Sequence, residues 1–169
     1  MLIHNVTDIE EIQTNLDIER ILLELSILPE YNTQICLQGV KDSKDPFLGC
    51  GVRGGTNSWE RKQNHNYSTS EFKYALFNMP YLNSFIEKNK MTHSRVMKMS
   101  PKTCYSYHKD KSKRIHIPVT TNSNCWIIVE KDIHYLPANG SYYIVDTTKM
   151  HTAVNASGED RIHILGNIE

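Results

Sequence analysis

The chain has 169 residues, the length of one ordinary domain, and its hydrophobic share of 39% and charged share of 22% are those of a globular protein. Lysine and arginine number 19 and so do aspartate and glutamate, so the chain lacks the basic surplus typical of nucleic-acid binding. It has no apolar run long enough to cross a membrane and no signal-peptide pattern at its start, which predicts a cytoplasmic protein.

The first ninety residues predict two helices separated by a strand and a long loop. Apolar residues recur at three- and four-residue steps before Pro29, with Asn15 as a break, and Pro80 suits a first helical turn. Trp59 lies in a polar, glycine-rich stretch that is either a lid over a substrate or an ordinary loop. The predicted elements are a helix over Asp8–Leu28, a strand over Thr33–Val40, a loop over Asp42–Asn66 and a helix from Asn78 to Glu87 or Lys88.

The second half of the chain predicts one short strand after another, separated by turn-forming residues. This pattern predicts a mainly β (α+β) domain, a double-sheet barrel or jelly roll with N-terminal helices covering one face. We expect a single domain over 1–169, with a helical and loop-rich part over 1–90 and a β core over 91–169. The predicted strands are Arg95–Met99, Cys104–His108, Arg114–Thr120, Trp126–Glu130, His134–Leu136, Ser141–Val145, Lys149–Asn155 and Arg161–Gly166.

The four cysteines are widely and irregularly spaced, and no two of them form a CxxC pair. This spacing argues against a zinc knuckle. We expect reduced thiols, with one disulfide as the alternative. The four are Cys36, Cys50, Cys104 and Cys125.

A set of metal ligands is predicted from two separate strands. Side chains two apart on a strand share a face, so His108 and Asp110 can reach one ion, and His151 can join them from a later strand. Two imidazoles and one carboxylate on one side of a metal suit iron(II), whose other positions then stay open for a co-substrate and dioxygen. The alternatives are a solvated turn for the first two residues and a core histidine for the third.

Arg161 follows His151 by ten residues, and the intervening VNASGED indicates a tight reversal. Two antiparallel strands would place Arg161 on the strand next to His151, deeper in the barrel. A planar guanidinium binds a carboxylate through two hydrogen bonds, which suits the far end of a dicarboxylic co-substrate. The alternative is a surface ion pair with Glu159 or Asp160.

Two stretches carry a resemblance to a known family. RIHIPVTTN at 114–122 and YLPANGSYYIVDTTKMHTAVNASGEDRIHILG at 135–166 resemble the aspartyl/asparaginyl β-hydroxylase family of 2-oxoglutarate-dependent oxygenases. The resemblance implies a double-stranded β-helix, the cupin-like form of the jelly roll. It also implies Fe(II) and 2-oxoglutarate, bound by a metal triad and by one arginine. The implied residues are His108, Asp110 and His151 for iron and Arg161 for 2-oxoglutarate.

The resemblance also identifies Arg114 and His116 as active-site groups that contact co-substrate or substrate, the alternative being a buried polar network. Alternation places both on one face of their strand, where a buried Arg114 needs an anion: the co-substrate, the substrate or a nearby acid. His163 shares the face of Arg161, as a residue that orients a ligand or as an interior histidine.

The chain departs from the family's eukaryotic members at two positions. Those members have glycine where this chain has Asp110, so the chain is nearer to the bacterial members with the full triad. They also have a serine against the far carboxylate of the co-substrate, where this chain has Met97. The identity of the substrate is therefore not implied.

The expected function is an Fe(II)/2-oxoglutarate-dependent dioxygenase that uses O2 to hydroxylate an amino-acid unit, with a residue in a protein preferred. A free amino acid such as proline is the alternative substrate. From another class of protein, the alternative is a catalytically inactive cupin-like binding protein. A dioxygenase without a co-substrate is a third hypothesis, but it has no need for Arg161.

Overall fold

The computed structural model describes residues 7–50 and 66–169, so Trp59 and the suggested lid lie outside the described residues. The described helices are all too short or too polar to cross a membrane. In chain order the elements are β1 Ile9–Ile12, α1 Ile18–Leu25, β2 Gln34–Cys36, β3 Gln38–Gly39, β4 Tyr74–Ala75, α2 Pro80–Lys88, β5 Thr92–Met99, β6 Thr103–Cys104, β7 Lys113–Thr120, β8 Cys125–Val129, β9 Asp132–His134, β10 Tyr142–Val145, β11 His151–Asn155 and β12 Arg161–Ile168.

Two antiparallel sheets form the body of the protein. The larger has six strands in the order β1-β10-β7-β12-β5-β2, and the smaller has four in the order β6-β11-β8-β9. Ile127 and Val129 of β8 pack against Tyr143 and Val145 of β10, so the two sheets face each other. This arrangement confirms the predicted jelly roll, and β1 and β2, from the first ninety residues, form the two edge strands of the larger sheet.

The larger sheet has one face that packs against the helices and one that faces the smaller sheet. Alternate residues of β7 and β12, including Ile115, Ile117 and Ile164, pack against α1 and α2 in the main hydrophobic core. The residues between them point into the space between the two sheets. Burial of the apolar face against the helices therefore fixes which side chains enter the interior of the barrel.

The predicted helix over Asp8–Leu28 is wrong in its first part. Residues Ile9–Ile12 form β1, which pairs with β10, and Asp17 caps α1 by accepting a hydrogen bond from the Arg20 backbone N–H at 2.9 Å. Isoleucines three residues apart fit the helical period rather than the strand period, and pairing with a distant strand overrides that local pattern.

Three of the predicted strands are divided, shortened or displaced in the structure. The strand over Thr33–Val40 is divided at Leu37, because β2 pairs with β5 while β3 pairs with β4. The strand over Cys104–His108 keeps only β6 and an isolated bridge at His108. The strand at His134–Leu136 ends earlier, since β9 covers Asp132–His134.

All four cysteines are thiols, and the Sγ atoms of Cys36 and Cys50 lie 3.8 Å apart.

A carboxylate on α1 caps the start of α2. Met79 makes no side-chain cap, and the two oxygens of Glu24 accept hydrogen bonds from the backbone N–H groups of Tyr81 and Leu82 at 2.9 and 2.8 Å. Replacing Glu24 by Ala should therefore lower the free energy of unfolding by about 1–2 kcal/mol, the cost of losing a helix cap. Urea denaturation measures this, and Glu19→Ala on the same helix is the control; equal losses in both variants would contradict the assignment.

Candidate metal centre

His108 and His151 are brought together by the backbone. Each donates a backbone N–H to the carbonyl of the other, at 3.0 and 2.8 Å, across the single bridge that links the β6–β7 connection to β11. Asp110 lies two residues further on, outside any strand, where its backbone N–H donates to the Thr147 carbonyl at 2.8 Å. The three residues therefore converge, although the expectation that Asp110 shares a strand with His108 is wrong.

The three side chains turn their ligand atoms toward one point. Asp110 Oδ2 lies 3.2 Å from His151 Nε2 and 3.9 Å from His108 Nε2. Metal–ligand bonds of about 2.1 Å place adjacent ligand atoms of a six-coordinate ion about 3 Å apart. The separation of 3.2 Å matches that spacing, and the separation of 3.9 Å is somewhat longer.

Backbone carbonyls fix which nitrogen of each imidazole faces the centre. His108 Nδ1 lies 2.6 Å from the Ser106 carbonyl and His151 Nδ1 lies 3.0 Å from the Lys149 carbonyl. A carbonyl only accepts, so each Nδ1–H donates and each Nε2 is left to bind a metal. Two imidazoles and one carboxylate are the ligand set of the facial triad that binds iron(II), and the three side chains fit that ion.

Arg114 finds its anion in a nearby acid. Its Nη1 lies 2.7 Å from Asp110 Oδ2, and its Nε donates to Asn167 Oδ1 at 3.2 Å. Burial raises the pKa of Asp110, but the nearby His151 and the charge of Arg114 outweigh it and hold the pKa below its ordinary value. Arg114 thus keeps Asp110 ionised and fixes its orientation.

The metal ligands form one end of a cavity between the two sheets. The cavity has a volume of about 200 Å³, and its other wall carries Arg161, which is 3% exposed. Strand register separates the two ends of this wall, since Arg161 pairs with Met99 while Leu165 is level with His116. Four residues of β12 span about 13 Å, so Arg161 lies deep in the barrel.

The predicted hairpin between His151 and Arg161 is wrong. β11 pairs with β6 and β8, whereas β12 pairs with β5 and β7, so residues 156–160 cross from one sheet to the other. The fully buried Asn155 holds this crossover, because its Nδ2 donates to the carbonyls of Met99 and Glu159 at 2.9 and 2.8 Å. The crossover places Arg161 opposite the metal ligands rather than beside them.

Arg161 makes a single side-chain hydrogen bond in the described structure. Its Nη2 donates to His163 Nδ1 at 2.9 Å, so this histidine orients the guanidinium. Burial lowers the pKa of Arg161 to about 10, which leaves it charged at neutral pH. Neither Glu159 nor Asp160 forms an ion pair with it, contrary to the surface alternative.

His116 and His163 are buried and neutral. Burial lowers the pKa of both far below the ordinary value, and the charge of Arg161 lowers both further. Their rings meet edge to face at 5.9 Å. Both nitrogens of His116 are without a hydrogen-bond partner among residues 7–50 and 66–169, and the ring lines the cavity.

These two histidines should make the fold sensitive to mild acid. The pKa values are depressed in the folded state and near 6.5 in the unfolded chain, so below about pH 6.5 the unfolded chain binds more protons. The contribution of these histidines to the free energy of unfolding should be fully present above that pH. It should fall as the pH drops toward 5, by up to about 1.4 kcal/mol per pH unit for each histidine. Urea denaturation at pH 7, 6 and 5 measures the slope. His163→Asn should reduce it by the share of one histidine, and an unchanged slope would contradict the prediction.

Sequence reasoning missed two polar groups of the cavity, Arg95 and Gln34. Arg95 alternates with Met97 and Met99 on β5, so the period of two could have identified it as inward-facing. No sequence signal identifies Gln34, because it reaches the cavity through the pairing of β2 with β5, more than fifty residues away.

The chain was compared with known families and proteins. The family model of aspartyl/asparaginyl β-hydroxylase matches residues 47–169 and so begins well before the stretches that carry the resemblance. No curated protein matches the chain.

Solved structures resemble the chain at low sequence identity. A 2OG-Fe(II) oxygenase family oxidoreductase from Burkholderia pseudomallei is 10% identical, with 89% of this chain and 76% of that one covered and a TM-score of 0.56. A cupin domain from Bordetella pertussis is 15% identical over 45% of this chain and 79% of its own, with a TM-score of 0.38. AerE from Microcystis aeruginosa is 19% identical over 45% of this chain, with a TM-score of 0.38, and the chain spans only 35% of its length.

The family match covers more than half of the chain. With the jelly-roll fold and the convergent histidines and aspartate in place, the chain belongs to the aspartyl/asparaginyl β-hydroxylase family of hydroxylases.

Proposed function

We propose that the chain is an Fe(II)- and 2-oxoglutarate-dependent hydroxylase of an amino-acid unit, a residue in a protein. The observation that carries the proposal is the pairing of two features in one cavity. His108, Asp110 and His151 turn their ligand atoms to one point at one end, and the buried cation Arg161 lies deep in the other. A metal that chelates one end of a dicarboxylic acid and a cation that binds the other end is what 2-oxoglutarate requires.

Bound iron, with 2-oxoglutarate and dioxygen, supplies an oxidant strong enough to hydroxylate an unactivated C–H bond, while the co-substrate leaves as succinate and carbon dioxide. The protein positions the reactants. His108 and His151 present Nε2 because their Nδ1–H groups donate to the carbonyls of Ser106 and Lys149, and Arg114 holds the Asp110 carboxylate in place.

Arg161 is proposed to bind the far carboxylate of 2-oxoglutarate. Its buried guanidinium is oriented by His163 and has no carboxylate partner in the part of the chain that the structure describes. Burying a charge is costly unless it is paired, so this arginine needs an anionic ligand. Met97 stands where the eukaryotic members have a serine and lines the same cavity, so this chain relies on Arg161 without that hydroxyl.

His116 is proposed to meet co-substrate or substrate with an uncharged ring. Neither of its nitrogens has a hydrogen-bond partner among the described residues, and the lowered pKa keeps the ring neutral. A neutral imidazole can donate from one nitrogen and accept at the other, which suits contact with a carboxylate or an amide.

The experiment that tests the function combines a spectrum with a mass measurement. Anaerobic protein with Fe(II) should develop a weak visible charge-transfer band when 2-oxoglutarate is added. In air, extract proteins and free amino acids incubated with the protein should gain one oxygen atom while succinate forms. Oxygen gain on a free amino acid such as proline instead of on a protein would select the alternative substrate.

Two outcomes would defeat the proposal. Tight binding of metal with no consumption of 2-oxoglutarate in any extract would favour an inactive cupin-like binding protein. Oxygenation that proceeds without 2-oxoglutarate would favour a dioxygenase that needs no co-substrate, and Arg161 would then have no role in it.

A further inference from the structure

Arg95 is a second buried guanidinium of the cavity, and the metal chemistry does not use it. It is 8% exposed and lines the same cavity as Arg161 and the metal ligands. Over residues 7–50 and 66–169 it forms no ion pair, and its Nε has no hydrogen-bond partner. An unpaired charge at this depth is costly, so the site is built for an anion that arrives from outside the chain.

Strand register separates Arg95 from Arg161. Arg95 pairs with Leu165, and Leu165 pairs with His116, so Arg95 is level with His116. Arg114, which contacts Asp110, lies two positions before His116 on β7. Arg161 lies four residues away along β12, or about 13 Å. Arg95 therefore belongs to the metal end of the cavity, and a carboxylate held by Arg161 lies too deep to neutralise it as well.

Of the charged groups that line the cavity, one cation has no assigned anion. Its lining contains three guanidinium groups and one carboxylate. Asp110 pairs with Arg114, and the far carboxylate of 2-oxoglutarate is assigned to Arg161 in the proposed function. The other carboxylate of that co-substrate is needed at the metal, so Arg95 is left without an anion among residues 7–50 and 66–169.

The groups next to Arg95 are polar but uncharged or weakly acidic. Gln34 lies across from Met97 on β2, is 8% exposed, and its Oε1 has no hydrogen-bond partner in the described part of the chain. Cys36 is directly opposite Arg95 and has its thiol 3.8 Å from that of Cys50. The amide N–H group of Gln34 and the guanidinium of Arg95 are both donors, and together they can bind a carboxylate.

We propose that Arg95 and Gln34 form a second anion subsite, which binds a carboxylate of the substrate at the metal end of the cavity. The inference rests on the proposed function and deepens it. The carboxylate of an amino-acid unit has two sources: the side chain of an acidic residue within a peptide, or the α-carboxylate of a free amino acid. In either case the ion pair fixes the substrate beside the metal, so that one C–H bond is presented.

The test measures binding to protein loaded with Mn(II) in place of iron and saturated with 2-oxoglutarate, so that no turnover occurs. Four probes are titrated in a calorimeter: acetyl-aspartyl-amide and its neutral match acetyl-asparaginyl-amide, and L-proline and L-prolinamide, which lacks the carboxylate and keeps the charged amine. We expect one carboxylate probe to bind at least about tenfold more tightly than its amide, and that pair identifies the source of the carboxylate.

Arg95→Met removes the charge and keeps most of the volume. It should weaken the binding of the carboxylate probe by about 30-fold or more, while the affinity for 2-oxoglutarate stays within about threefold of the wild-type value. Lys98→Met is the matched control, because Lys98 lies on the same strand with its ammonium over the ring of Tyr31, 5.2 Å from the centroid. Cys50→Ser should also leave the probe affinity unchanged, because a thiol is not the intended anion.

Several outcomes overturn the subsite. A loss of 2-oxoglutarate affinity in Arg95→Met would assign Arg95 to the co-substrate, and a wild type that binds Mn(II) and 2-oxoglutarate but no carboxylate probe would remove the subsite while the proposed function stands. If the wild type binds neither metal nor 2-oxoglutarate, the proposed function fails, and the probes are then titrated alone. Equal affinities of the carboxylate probe for wild type and Arg95→Met would overturn the subsite. Where Arg95→Met does not fold by circular dichroism, Gln34→Leu decides, and an unchanged probe affinity overturns the proposal.

Discussion

Replacing His151 by Ala is expected to abolish metal binding and turnover while the fold survives. In the proposed metal site His151 is one of three ligands, with Nε2 3.2 Å from Asp110 Oδ2. The two ligands that remain should not hold the ion. We expect turnover to fall by more than the roughly 10–100-fold that loss of a residue supporting a metal ligand costs. The measurements are bound iron and the rate of 2-oxoglutarate consumption.

His134→Ala is the matched control for this prediction. It removes a half-buried imidazole from β9, at the edge of the smaller sheet, and should leave bound iron and turnover unchanged. The backbone bridge between His108 and His151 does not involve the side chain, so circular dichroism and the unfolding midpoint of His151→Ala should stay near those of the wild type. Full turnover in His151→Ala would refute the metal assignment.

Asp110→Ala should be severe but incomplete, since family members with glycine at this position work without the carboxylate. The substitution also leaves Arg114 without its ion-pair partner at 2.7 Å, so part of the loss should come from that guanidinium rather than from the metal.

The jelly roll and the inward face of β7 could be predicted because each depends on a local pattern. Alternation from Arg114 to Thr120 places Ile115 and Ile117 against the helices and Arg114 and His116 in the cavity, and burial of the apolar set allows no other register. The ligand residues were identified by their chemistry and their family pattern, so they could be named although the local structure around Asp110 was predicted wrongly.

What could not be predicted depends on contacts between distant parts of the chain. Ile9–Ile12 is a strand only because β10 lies beside it, and residues 156–160 form a crossover only because Asn155 is anchored to the Met99 carbonyl on β5. The stretch VNASGED is short enough for a hairpin, and turn-forming residues suit either connection. The partner of each strand is therefore decided by the assembled sheets and not by the turn.

Arg161→Met should raise the dissociation constant of 2-oxoglutarate by about 30-fold to several thousandfold, corresponding to about 2–5 kcal/mol. The substitution keeps most of the side-chain volume but leaves the far carboxylate of the co-substrate buried and unpaired. Arg161 is 3% exposed and its orientation is fixed by His163 at 2.9 Å, so no other cation or solvent replaces it. Binding is measured by calorimetry with Mn(II), and bound metal should stay at the wild-type level.

Arg161→Lys separates charge from shape. Lysine keeps the positive charge but loses the planar fork and the contact with His163, so the affinity should fall between those of Arg161→Met and the wild type. Stabilisation of the fold by 2-oxoglutarate should follow the same order, because a ligand that binds only the folded state stabilises it more when it binds more tightly.

The two buried arginines of the cavity provide the sharpest control. Arg161→Met should lose the co-substrate and keep the metal, whereas Arg95→Met should keep both, although the two guanidinium groups line the same cavity and differ little in burial. A general effect of removing a buried charge would weaken the binding of 2-oxoglutarate equally in both variants. Arg161 lies about 13 Å along β12 from Leu165, which pairs with His116, so it can act at the metal only through the co-substrate. Unchanged dependence on 2-oxoglutarate in Arg161→Met, or loss of metal instead, would therefore contradict the assignment of Arg161.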